Sequence, residues 1–281
     1  LASPAYPTYR YSWFRDGAFI ARAMDLYGES GSAAAFHAWA LGTLARQFAA
    51  MAEPEPDRQP PEDRIVHTRY RSDGTPGSTD WPNFQLDGYG TWLWTLADHL
   101  NGVAPSGRTR DAVRLVTNYL VAAADLPCYD CWEEFGDGHH TSTIGSVAAG
   151  LSAAARMLDD AGAAACADRL IARINDEHVR DGALIKQAGD ERVDASTLWL
   201  ALPFGLFEAD GPVMRTTAAR IRAELVRAGS GVVRYLGDTF YGGGAWILLT
   251  AWLGWYESTI GDHERAEARY RWIVDHAGPD G

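Results

Sequence analysis

Ile144-Gly-Ser-Val-Ala-Ala-Gly-Leu-Ser-Ala-Ala-Ala-Arg-Met-Leu158 carries the pattern that decides the fold. Ile144, Val147, Ala148, Leu151 and Leu158 recur at spacings that put them on one face of a helix. The same period returns upstream at Val113, Val116 and Leu120, and downstream at Trp246, Leu249, Leu253 and Tyr256. It predicts about ten helices, near 16–27, 32–52, 86–101, 108–124, 141–161, 163–177, 195–202, 211–228, 244–260 and 263–276. Strand signals are confined to Ile65–Tyr70 and Val232–Tyr235, so the fold class is all-α. Long gaps rich in Gly, Trp and Asp (Glu53–Gln85, Asp125–His140, Gly229–Gly244) alternate with short turns such as Gly28–Gly31 and Ala161–Ala163. Helical hairpins with elaborate loops at one end predict a toroid whose long loops build a site at one rim. The Pro-rich stretch Glu53–Arg64 reads as a loop inserted in a single domain spanning 1–281, because the helical pattern resumes unchanged after it.

Composition narrows the partners. Over 281 residues there are 25 Lys and Arg against 37 Asp and Glu, a net charge of −12, which disfavours nucleic acid and anionic membrane. A neutral substrate feels no such repulsion. The 11 Trp, 12 Tyr and 9 Phe fit a thick core, and carbohydrate sites use such residues too. Pyranose rings pack their C–H faces on indole, so aromatic residues beside charges suggest carbohydrate. No apolar run is long enough for a membrane span, no leader is visible, and three cysteines cannot build a disulfide framework. A cytoplasmic location is expected.

The chemistry centres on Trp132-Glu133-Glu134, in a turn-like region just ahead of the Ile144 helix. A carboxyl on a rigid aromatic platform suits general acid catalysis of glycoside cleavage. A bare Glu-Glu pair is ordinarily a solvated helix start, so the motif draws weight from its company. Arg15-Asp16 are adjacent and do not face each other on a helix, which favours a binding role, with Asp16 also able to cap the helix that follows. Trp13, Trp81 and Trp132 sit beside Gly, Pro and charges, whereas Trp39, Trp92, Trp94, Trp199 and Trp252 read as core.

Four segments then carry a family resemblance. Tyr9-Arg-Tyr-Ser-Trp13-Phe-Arg15-Asp16, Trp81-Pro-Asn-Phe-Gln85-Leu-Asp87-Gly88, Trp132-Glu133-Glu134 and Arg234-Tyr-Leu-Gly-Asp238-Thr-Phe-Tyr241-Gly-Gly-Gly-Ala-Trp246 resemble, in order, motifs of the glucoamylase family, glycoside hydrolase family fifteen. The resemblance implies an (α/α)6 barrel of six helical hairpins, incomplete at both ends over this stretch, and exo-acting, inverting hydrolysis of α-glucosides. It implies Glu133 as general acid, with the general base just after Gly281 in a Pro-Glu-Gln-like context. Arg15 and Asp16 would hold the terminal glucose, and Tyr9, Trp13, Trp81 and Trp132 would wall the pocket. Asp87 and Asp238 are further substrate-binding candidates, and Glu134 and Arg234 would bind hydroxyls near the cleavage point. A small oligosaccharide is the expected partner, with isomaltose favoured. The alternatives are α-1,4-glucans, trehalose, or an inactive sugar-binding protein.

No metal or organic cofactor is expected. Cys128 and Cys131 with His139-His140 could in principle bind zinc or work as a redox pair, but loop or buried thiols are the plainer reading. Gly242-Gly-Gly244 lacks the Lys-Ser/Thr of a phosphate loop and reads as a tight helix start.

Overall fold

In the computed structural model, residues 7–51, 66–78, 80–227 and 229–278 are described, and the Pro-rich stretch at 53–64 lies outside them. Contacts gather into two compact units, Leu1–His139 with Ser146–Ile171, and His140–Gly145 with Ala172–Gly281.

In the first unit a two-residue ribbon, β1 (Ser12–Trp13) and β2 (Arg69–Tyr70), pairs antiparallel, with Trp13 opposite Arg69. Helix α1 (Phe14–Leu26) packs on α2 (Ser30–Met51) and α3 (Asp87–Leu100), and α4 (Gly107–Ala123) packs against both of the latter. Trp13 caps α1 from extended backbone, so Asp16 sits inside the first turn and not at the cap, where it still faces the positive end of the helix dipole. The unit takes α5 (Thr141–Leu158) from Ser146 onward and α6 (Ala161–Glu177) as far as Ile171. Helices α3 and α5 touch backbone to backbone: a Cβ on Gly90 would lie 2.3 Å from the Ser146 carbonyl oxygen, so only glycine fits. Asn101, left-handed at φ 46°, closes α3. Phe14, Tyr70, Tyr89, Trp92 and Leu120 form the core. Trp39 and Trp94, expected there too, are only half-buried. The Trp39 indole donates to the Ser72 carbonyl, and Arg22 lies over the Trp94 ring.

His37 of α2 is buried, and neither ring nitrogen has a hydrogen-bond partner among the described residues. Its ring centroid is 4.9 Å from that of His99 on α3, whose Nδ1 is 2.8 Å from Asp25 Oδ2 on α1. Burial first, and His99 second, push the His37 imidazole from 6.5 down to about 4, against a pull upward from Asp25. The fold therefore holds a neutral ring that the unfolded chain would protonate below 6.5. Stability from this site is complete above pH 6.5 and is lost as pH falls through that value toward about 4. Linkage puts the loss at up to about 3 kcal/mol. Thermal melts between these limits should show it, and His37→Leu should flatten the profile. An equally steep profile in His37→Leu would move the acid sensitivity elsewhere.

In the second unit, β3 (Val179–Arg180) and β4 (Ala183–Leu184) form a hairpin across Asp181-Gly182, both at positive φ, as a two-residue turn of this twist requires. Residues 195–202, expected as a helix, form instead a 3₁₀ turn over Ala195–Leu200. The Asp194 side chain accepts from the backbone N–H and hydroxyl of Ser196, and Pro203 offers no N–H to extend the turn. The expected strand 232–235 reduces to single bridges, Val232 with Val226 and Trp246, and Tyr235 with Asp194. Helix α7 (Pro212–Leu225) packs on β4 and the 3₁₀ turn, and α8 (Ile247–Thr259) packs on α9 (His263–His276). Glu257 of α8, fully buried, faces Arg269 of α9 at 3.2 Å and Arg222 of α7 at 3.7 Å. With nine α-helices and four two-residue strands among the described residues, the fold class is all-α as expected.

Candidate active site

Glu133 lies in the turn after α4, at φ 67°. A left-handed backbone is costly for a residue with a side chain and persists only where its surroundings enforce it. The enforcing group is Asp130. Its Oδ1 accepts the backbone N–H of Trp132 at 3.0 Å and of Glu134 at 2.8 Å. The Glu133 N–H donates to the Asp130 carbonyl at 2.9 Å, and the Asp130 N–H donates to the Glu134 carbonyl at 3.0 Å. Asp130 is 1% exposed, so a buried carboxylate wraps the turn and aims Glu133.

Three N–H groups converge on Glu133 Oε1: Trp13 Nε1 at 2.7 Å, Trp81 Nε1 at 3.0 Å and Gln85 Nε2 at 3.0 Å. The ribbon brings in Trp13, and the segment leading into α3 brings in Trp81 and Gln85. Trp13 and Trp81 meet edge to face at 6.1 Å, and the Tyr9 ring is 6.2 Å from Trp13. Trp13 and Trp81 therefore meet Glu133 through their indole N–H edges. Oε2 has no hydrogen-bond partner among the described residues.

The same network reaches Arg15. Its Nη1 donates to Gln85 Oε1 at 3.2 Å and to Asp87 Oδ2 at 3.0 Å, and Nη2 is 3.4 Å from Asp16 Oδ2. Burial opposes the Arg15 charge, but Asp87 and Asp16 outweigh it and hold the guanidinium above its ordinary value. Asp87 is 0% exposed and anchors Arg15 from behind, whereas 47% of the Asp16 side chain is open. Of this carboxylate pair, Asp16 is the one able to meet a ligand.

Arg234 and Asp238 lie in the second unit and pair with each other in two-pronged fashion, at 2.8 and 2.5 Å. Burial would raise the Asp238 carboxyl, but Arg234 and the Phe240 N–H hold it below its ordinary value. The Arg234 guanidinium is ringed by Phe240 at 4.9 Å, Tyr235 at 5.5 Å and Trp246 at 5.6 Å.

Cys128, Cys131 and Cys166 are buried and form no disulfide, and burial pushes the Cys128 thiol up to about 12. Among the described residues no group of three His, Cys, Asp or Glu is placed to hold a metal.

Residues 1–274 match the model of Glycosyl hydrolases family 15. The chain belongs to that family. It is a glycoside hydrolase, related at 39% identity to an isomaltose glucohydrolase of Kribbella flavida, over 100% of this chain and 76% of the relative. A solved glycosidase, a Glu-to-Ala variant in complex with glucose, superposes with a TM-score of 0.89 at 38% identity, over 99% of this chain and 78% of that one. A glucoamylase from Saccharomycopsis fibuligera shares the fold at 18% identity, with a TM-score of 0.68 over 92% of this chain and 65% of its own. The family's fold is the (α/α)6 barrel that the four segments implied. No described helix is long and apolar enough to cross a membrane.

Three residues that lie around Glu133 were not singled out in the sequence. Gln85 stood inside a quoted motif and could have been found there. Asp130 had a signal in its spacing, an Asp three residues ahead of Glu133. Arg69 had none.

Proposed function

We propose that this hydrolase releases glucose from the non-reducing end of small α-glucosides, isomaltose foremost, with inversion and with Glu133 as general acid. The observation that carries the reading is the convergence of Trp13, Trp81 and Gln85 on Glu133 Oε1, tied through Gln85 to the Arg15–Asp16 pair. Oε1 is occupied as an acceptor, so Oε2 is the oxygen assigned to deliver the acid's proton. From there it passes to the glycosidic oxygen as the C–O bond breaks. A carboxylate on the opposite face of the sugar, about 6.5–9.5 Å away, deprotonates the attacking water. The Glu expected after Gly281 is assigned that task. Asp16, steadied by Arg15, binds hydroxyls of the terminal glucose. Tyr9 and Trp132 wall the pocket, and Glu134, Arg234 and Asp238 act on the sugar near the cleavage point. The chemistry needs no cofactor. The preference for isomaltose is supported by the 39% identity to the Kribbella enzyme. A single catalytic domain acting in the cytoplasm completes the proposal.

Glucose release from isomaltose, maltose, trehalose and isomaltotriose tests it, with NMR of the first product anomer. Fastest release from isomaltose as β-glucose is expected. Fastest release from maltose or trehalose would shift the linkage, and no release from any of them would leave a sugar-binding protein.

Asp16→Asn should lower kcat/KM by about 10- to 150-fold, the worth of a charge-assisted bond of about 1.5–3 kcal/mol. The melting temperature should barely move, because the carboxylate is open to solvent. A variant that unfolds while its folded fraction stays fully active would reduce Asp16 to a helix-start residue.

A further inference from the structure

We infer that Arg69 is a positioning residue for the acid: it holds Trp81, and through the Trp81 indole it holds Glu133. The inference rests on Glu133 being the acid. Directly opposed residues of an antiparallel pair send their side chains to one face, and the register sets Arg69 opposite Trp13. The Arg69 guanidinium carbon lies 3.7 Å over the Trp81 ring and 4.4 Å over the Tyr11 ring. Its Nη2 donates to Ser78 Oγ at 3.1 Å and its Nη1 to the Thr8 carbonyl at 3.4 Å. Arg69 is 4% exposed, and among the described residues its Nε has no hydrogen-bond partner and no carboxylate forms an ion pair with it. Buried arginines ordinarily pair with carboxylates. Here two aromatic faces take that place, and a desolvated cation over indole is among the stronger such contacts.

The surroundings are shaped for the stem. A Cβ on Gly77 would come within 3.0 Å of Arg69 Cγ and 3.1 Å of Nε, so the loop backbone closes directly on the side chain. Trp81, held by that stack, presents its N–H to Glu133 Oε1 at 3.0 Å. Burial lowers the guanidinium from its ordinary value, and the Tyr11 and Glu133 charges oppose the fall. Lysine could supply the charge but not the planar stack.

Arg69→Gln and Arg69→Lys test the inference, with kcat and KM on isomaltose as readouts. Arg69→Gln should lower kcat about 30-fold, the worth of a desolvated cation–π contact, with KM within about threefold. Arg69→Lys should lose part of the rate, again with KM little changed. Wild-type kcat in either variant, or a loss of melting temperature alone, overturns the inference. Should Arg69→Gln not fold, Arg69→Lys decides: an unaltered kcat overturns it, and a reduced kcat at an unaltered KM supports it. Wild-type protein that cleaves no glucoside sinks the proposed function instead. Arg69 is then judged by near-ultraviolet circular dichroism, where Arg69→Lys must perturb the same band that Trp81→Phe removes, and an unperturbed band overturns it.

Discussion

Glu133→Gln should lower kcat on isomaltose by about 10²–10⁴-fold or more, the contribution of a positioned general acid. The amide keeps the shape, and its oxygen can still accept from Trp13, Trp81 and Gln85, so the turn should stay folded. The amide group facing the leaving oxygen has no acidic proton to give. An α-glucoside with an activated leaving group, which departs without protonation, should recover much of the lost rate. That rescue separates a missing acid from a disturbed pocket. Near-wild-type turnover of isomaltose by Glu133→Gln would move the acid role, with Glu134 the first candidate.

Glu257→Ala should have the largest effect on stability. Glu257 is fully buried, and burial pushes its carboxyl above its ordinary value even though Arg269 and Arg222 pull it down. Removing it leaves Arg269, 7% exposed in its side chain, without its buried partner. Breaking one member of such a group costs about 3–5 kcal/mol, because the remaining charge stays desolvated. Chemical denaturation should show that loss, and the melting temperature should fall by about 10 °C. Glu257→Gln should lose less, since its amide oxygen still accepts from Arg269. An Ala variant within about 1 kcal/mol of wild type would mean that water reaches the arginines.

How far the site could be read in advance depends on how local each cause is. Helices α4, α5 and α8 were legible because their apolar residues recur along one face, and that face is what they bury. The 3₁₀ turn at Ala195–Leu200 was not, because a side-chain cap at Asp194 and the missing N–H of Pro203 override a short apolar run. Glu133, Arg15 and Asp16 could be singled out through motifs in their family's order, and the structure links Glu133 to Arg15 through Gln85. That Asp87 stands behind Arg15 while Asp16 stands open was not legible, since adjacent letters do not say which carboxylate faces solvent. Trp13 and Trp81 were expected as walls, and the structure shows their indoles donating to Glu133. Arg69 was hidden because its partners, Tyr11 and Trp81, are brought to it by the ribbon and by a loop, with no periodicity to mark the meeting.

The three buried thiols make the protein its own clock. Cys128 precedes the turn that aims Glu133, Cys131 lies within it, and Cys166 sits on α6. A thiol reagent in solution can reach them only when the chain opens, so each labelling rate reports how often its surroundings breathe. If Cys128 and Cys131 label faster than Cys166, the acid turn opens alone, while the helices stay closed. Equal rates would mean that the turn opens only with its scaffold. The loosening of an active-site loop can thus be timed in the unmodified protein, residue by residue, without attaching any probe.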